Sequence, residues 1–112
     1  MPHCVIEIAN QLSSSVTKTQ LLGCVFDAHV KSGLFDPNNI KVRCTGYDHH
    51  KSGTGSERFI HATSHIMGGR TEEQKQLLSQ LIVEGLTDLG IACVSLSAQV
   101  VDLEPNYVSF TH

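Results

Sequence analysis

The chain has 112 residues, 40% of them hydrophobic and 17% charged, with a formal net charge of −3, the composition of one ordered globular domain without the charge density of a disordered segment. Its Lys and Arg residues are scattered rather than interleaved with aromatics, which argues against nucleic acid as a partner. No stretch approaches the roughly 20 apolar residues of a membrane span and no basic-then-apolar leader opens the chain, so no membrane is expected and the expected location is the cytoplasm.

Pro2 follows the initiator Met1 and opens a strand over residues 3–9, in which Cys4, Ile6 and Ile8 alternate with His3, Val5 and Glu7. Proline is the one coded residue whose free amino terminus is a secondary amine. Removal of Met1 would expose it, whereas a retained Met1 leaves an amide with no basic lone pair. A terminal amine titrates at about 7.7 to 8.0, and burial beside cations would lower that value, poising the nitrogen to take and return protons near neutrality. Proline here also suits a strand start that needs no donor, and position alone does not decide between the two.

From Ser14 or Ser15, residues Val16, Leu21, Leu22, Val25, Phe26, His29 and Val30 fall near helical spacing, and Gly33 supplies a stop. After the turn Asp36-Pro37-Asn38-Asn39, a second strand alternates Ile40 and Val42 with Lys41 and Arg43, placing two cations on one face. Residues 47–56 carry two glycines and no periodicity, the mark of a surface connection. A third strand covers residues 57–67, with Ile60, Ala62 and Ile66 facing one way, and Gly68-Gly69 ends it. Thr71-Glu72-Glu73-Gln74 reads as a capping box with two acids at the positive end of the helix dipole. Leu77, Leu78, Leu81, Ile82, Leu86 and Leu89 form the expected buried stripe of that helix, Gly90 stops it, and Val94, Leu96, Ala98 and Val100 alternate as a last strand.

A shift of 57 residues pairs Ser14 with Thr71, Leu21 with Leu78, Val25 with Ile82 and Gly33 with Gly90. The pattern predicts an α+β fold: two βαβ pseudo-repeats, about residues 2–46 and 57–103, joined in one four-stranded mixed sheet with both helices on one face. Two helices leave the other face bare, and neighbouring subunits of a closed homo-oligomer are the expected cover. Ferredoxin-like domains have similar element counts, so architecture alone does not give function.

Cys4, Cys24, Cys44 and Cys93 contain no C-x-x-C pair and read as buried reduced thiols. His49-His50 and His61-x-x-x-His65 invite a metal reading, but His61 and His65 would lie about 13 Å apart along a strand, too far to share one ion. No metal site is expected.

Taken in order, Met1-Pro2-His3, Ile6-Glu7, Gly33-Leu34-Phe35, Ile40-Lys41-Val42-Arg43, His61, Gly69-Arg70 and Leu96-Ser97 resemble the 5-carboxymethyl-2-hydroxymuconate isomerase family of the tautomerase superfamily over nearly the whole chain. The resemblance implies a homotrimer with active sites near subunit boundaries and no cofactor. It implies a small carboxylate substrate derived from aromatic ring cleavage, whose proton moves between enol oxygen and carbon through the terminal proline. Pro2 and Arg70 become the candidate catalytic residues, with Lys41 and Arg43 as candidate substrate-binding cations. Lys41 departs from the arginine of the family pattern and offers a point charge instead of a planar fork. For Lys41 and Arg43, substrate binding and salt bridging to a neighbouring subunit both stay open. The competing class is a non-catalytic oligomeric βαβ module that binds a small anionic ligand.

Overall fold

A computed structural model describes residues 1–53 and 58–111. Four strands, β1 (His3–Ala9), β2 (Lys41–Tyr47), β3 (Phe59–Ile66) and β4 (Ser95–Asp102), form one sheet in the order β2-β1-β3-β4. Helix α1 (Lys18–Lys31) connects the parallel pair β1 and β2, helix α2 (Glu72–Thr87) connects the parallel pair β3 and β4, and β1 meets β3 antiparallel. This is the mixed sheet that the sequence pattern predicts.

Period-two alternation divides the sheet into two unlike faces. Cys4, Ile6 and Ile8 of β1 and Ile60, Ala62 and Ile66 of β3 are fully buried against Leu21, Val25 and Ala28 of α1 and Leu78, Ile82 and Leu86 of α2. The central strands therefore supply the core, while β2 and β4 at the edges contribute half-buried residues such as Val42 and Val100. On the opposite face stand His3, Val5, Glu7, His61, Thr63 and His65 of the central strands, flanked by Lys41, Arg43, Ser97 and Gln99.

Among the described residues, one polar couple lies within the core. His29 and Ser64 are both fully buried; His29 Nδ1 lies 2.8 Å from the Val25 carbonyl and His29 Nε2 lies 2.8 Å from Ser64 Oγ. The carbonyl can only accept, so Nδ1 carries the proton and the serine hydroxyl donates to Nε2. Burial lowers the imidazole pKa and keeps the ring neutral.

The start of α1 differs from its expected place. Its N-cap is Thr17, whose hydroxyl accepts from the Gln20 amide at 3.0 Å while the Thr17 amide donates to Gln20 Oε1 at 2.8 Å. The serines at 13–15 resemble caps, but Asn10–Ser14 forms a short 3₁₀ turn fastened by buried Leu12. Thr17-x-x-Gln20 and Thr71-x-x-Gln74 are the matching capping boxes, so the pairing of Ser14 with Thr71 fails. The stripes and stops do align at the shift of 57, and Gly33 and Gly90 carry φ of 71° and 70°. Leu77 is 43% exposed, because its side chain points around α2 away from the stripe of Leu78, Ile82 and Leu86. Tyr47 closes β2 instead of opening the connection, held by its hydroxyl on Glu7. The expected start of strand three at residue 57 lies outside the described residues. All four cysteines are free thiols: Cys4 is buried, with a pKa pushed up to about 12 by that burial, whereas Cys93 is exposed, contrary to its expected burial.

Candidate active site

The site grows from the start of β1. Pro2 needs no amide partner, yet its carbonyl accepts from the Lys41 amide at 3.0 Å, which fastens it to the head of the β1–β2 ladder. Its ring is fully buried. Beside it opens a cleft of about 160 Å³ bounded by Met1, Pro2, Leu34, Phe35, Met67 and Arg70, with Asp36 and Asn39 at its rim. The rim is built by the turn after α1, where the Asp36 carboxylate accepts from the Asn38 amide at 3.0 Å and Pro37 opens a 3₁₀ turn.

Arg70 reaches the cleft because the chain reverses just before α2, where Gly69 adopts φ of 110°, a conformation that a side chain would strain. The guanidinium then donates to the Leu34 carbonyl and lies 5.7 Å from the centre of the Phe35 ring. One N–H is used in this tether; a guanidinium has five, so it is fixed in place with donors to spare. The amino end of α2 is satisfied by its own capping box and complemented by Glu72 and Glu73, so anion affinity at this corner rests on the arginine and not on the helix dipole.

Lys41 stands beside the amino terminus, with Nζ 4.0 Å from Met1 Sδ. Burial, then Lys41, then Arg70, lower the pKa of the Met1 amine. The four sequence-predicted residues thus separate into groups. Pro2 and Arg70 share the cleft, Lys41 borders the amino terminus, and Arg43 lies outside the cleft on the open sheet face, with Nη1 3.4 Å from His3 Nδ1. His61, one of the histidines considered for metal, is engaged instead with Ser97 Oγ at 2.7 Å and Thr63 Oγ1 at 3.1 Å.

The family model for 5-carboxymethyl-2-hydroxymuconate isomerase matches residues 2–106. The chain belongs to that family. Its fold agrees with a crystal structure of 5-carboxymethyl-2-hydroxymuconate delta-isomerase at a TM-score of 0.84 and 16% identity, covering 100% of this chain and 89% of that one. A 5-carboxymethyl-2-hydroxymuconate isomerase from Deinococcus radiodurans R1 matches at 0.82 and 21% identity, covering 98% and 88% of the two chains. A fused 4-OT wild-type symmetric trimer matches at 0.70 and 18% identity, covering 96% and 94%. Comparison with the curated proteins by sequence gives no significant match. The chain is accordingly an isomerase of the tautomerase superfamily.

Sequence reasoning missed two residues near the site of this isomerase. Phe35 has no role legible in the Gly33-Leu34-Phe35 motif, yet it carries the guanidinium of Arg70. Tyr107, in a tail without periodicity, reaches His3 Nε2 at 2.9 Å and packs edge-on against its ring. The available signal was Pro105, which favours the turn by which the Tyr107 amide donates to the Glu104 carbonyl at 3.0 Å and the tail comes back over the sheet.

Proposed function

We propose that the protein, once Met1 is removed, isomerises an unsaturated hydroxy-carboxylate of the 5-carboxymethyl-2-hydroxymuconate type, with Pro2 as the proton carrier. The secondary amine of Pro2 takes the enol proton and delivers it to a distant carbon of the conjugated chain, and Arg70 holds a carboxylate and steadies the negative charge that develops in between. Lys41 contributes a second cation at the amino terminus. The observation that carries this reading is the sharing of one cleft by Pro2 and Arg70; the Met1 amine, one residue ahead, has its pKa lowered by burial, Lys41 and Arg70, and a Pro2 amine exposed at that end would meet the same cations. A base unprotonated near neutrality is what the first proton transfer requires.

A homotrimer goes with this reading, the open sheet faces being covered by neighbouring subunits, and so does the division of one domain into halves at residues 2–46 and 57–103. Support comes from the bare polar face and from the fold shared with the trimeric fused 4-OT. Light scattering in dilute buffer should give three chains per particle; a monomer as the sole species would contradict it. Catalysis is tested by following ketonisation of 2-hydroxymuconate with processed protein and with Pro2→Ala. The variant should lose on the order of 10²-fold or more, as expected for removal of a general base. Undiminished activity in Pro2→Ala would remove the proline from the mechanism.

A further inference from the structure

Three polar groups from distant parts of the chain converge on one apolar atom. Met1 Sδ lies 4.0 Å from Lys41 Nζ, 4.0 Å from the Tyr107 hydroxyl and 3.7 Å from Ser109 Oγ. A thioether is a weak acceptor and gives an ammonium and two hydroxyls little in return. An anionic oxygen would answer all three, and removal of Met1 would vacate the position for one.

The Tyr107 hydroxyl is also aimed. Arg43 Nη1 lies 3.4 Å from His3 Nδ1, and His3 Nε2 lies 2.9 Å from the Tyr107 oxygen. A guanidinium can only donate, so Nδ1 of His3 is the accepting nitrogen and Nε2 carries the proton. His3 then donates to the Tyr107 oxygen, and the tyrosine's own O–H is left to point at the position of Met1 Sδ. Burial and the neighbouring Arg43 and Lys41 disfavour the charged imidazole, in keeping with that neutral tautomer. Arg43, which lies outside the cleft, thereby stands at the head of a relay of donors, Arg43 to His3 to Tyr107, that ends at the site. The stretch matched by the family ends at residue 106, so Tyr107 and Ser109 lie beyond it.

We propose that Lys41, Tyr107 and Ser109 form a second carboxylate subsite, besides that of Arg70, that selects dicarboxylates over monocarboxylates, with His3 and Arg43 as positioning residues for the tyrosine hydroxyl. This deepens the isomerase reading above and rests on its processed amino terminus. It assigns the tail residues a part in choosing the substrate and leaves the proton transfer to Pro2.

The test is a binding measurement that needs no turnover. Isothermal titration of processed protein with trans,trans-muconate and with sorbate compares two chains of the same carbon skeleton, one with two carboxylates and one with a single carboxylate, neither with an enol to isomerise. Muconate should bind about ten-fold more tightly or better, the gain expected from charge-assisted hydrogen bonds to a second carboxylate. Tyr107→Phe should cut the muconate-to-sorbate ratio several-fold, and Tyr107→Phe with Ser109→Ala should bring it towards one. His3→Ala should match Tyr107→Phe, and the two together should add nothing, as for links of one relay. Protein retaining Met1 should show a ratio near one, because the thioether fills the position. A wild-type ratio near one, or an undiminished ratio in the Tyr107→Phe and Ser109→Ala double variant, would overturn the subsite. A persistent preference for muconate in protein that ketonises no enol would instead sink the isomerase mechanism and leave the subsite standing.

Discussion

The two faces of the sheet are drawn from the same strands and obey different rules. On the helix-covered face, Ile6, Ile8, Ile60 and Ile66 are held by volume and by exclusion of water, and a polar intrusion, His29 with Ser64, has each buried side-chain polar atom paired. On the open face, side chains are held by one another: Tyr47 by Glu7, His61 by Ser97 and Thr63, His3 by Tyr107 and Arg43. The covered face specifies the fold through size and pattern, which many apolar residues can satisfy. The open face and the strand ends specify chemistry through particular donors and acceptors, which few residues can.

The sharpest way to break this contrast is to cut into each face. Ile6→Ala removes a fully buried side chain beneath the helices and should cost about 2 to 5 kcal/mol in urea unfolding, the range for large-to-small core changes. Ser97→Ala on the open face should cost about 1 kcal/mol or less. Equal losses would mean that both faces carry the fold alike.

Arg70 stands where the sheet ends, fixed by Leu34 and Phe35. Arg70→Ala should reduce kcat/KM for a dicarboxylate enol by about 10- to 150-fold, corresponding to roughly 1.5 to 3 kcal/mol for a charged hydrogen bond, with a smaller loss for a monocarboxylate. Small, equal losses for both substrates would assign the arginine to the turn alone.

A subtler contrast lies in acid. The imidazole of His29 is neutral when folded and has a lowered pKa through burial, whereas the unfolded chain protonates it at about 6.5. The unfolded state therefore binds more protons below that pH. The stability that His29 contributes is full above about pH 6.5 and is lost as pH falls through the lowered folded pKa. His29→Gln should flatten the acid limb of the stability profile. His3 shifts in the same direction but is only half-buried, so His3→Gln should flatten it less. An unchanged acid limb in His29→Gln would mean that the core histidine does not titrate with unfolding.

The smallest effect is expected at Leu77, apolar by sequence yet outside the stripe. Leu77→Ala should change stability by about 0.5 kcal/mol or less, as for an exposed position. A loss of core size would restore it to the buried stripe.

These contrasts also explain what could be read from the amino-acid order. Alternation in Cys4-Ile6-Ile8 and the helical spacing of Leu78-Ile82-Leu86 are one-dimensional records of burial, so strands, helices and their pairing were legible. The capping box Thr17-x-x-Gln20 was equally legible and lay hidden behind three serines that mimic a cap. The site was legible only in part. Pro2 and Arg70 announce themselves by position and chemistry, but Phe35 beneath the guanidinium and Tyr107 against His3 come together through contacts 35 and 104 residues apart in the chain, which no local pattern records. Arg43 is equivalent to Lys41 by pattern, because the two share one face of one strand. Two residues along β2 are enough to send Arg43 to His3 and to leave Lys41 at the amino terminus.

One comparison bears on the proline itself: ketonisation of 2-hydroxymuconate by protein processed to Pro2, verified by intact mass, and by the same chain kept as Met1 by inhibiting methionine removal. The processed protein should convert the enol, and the Met1-retaining form should fall by about 10²-fold or more, since its prolyl nitrogen is an amide that cannot carry a proton. Equal activity in the two forms would contradict the proline as base and return Pro2 to the role of a strand start.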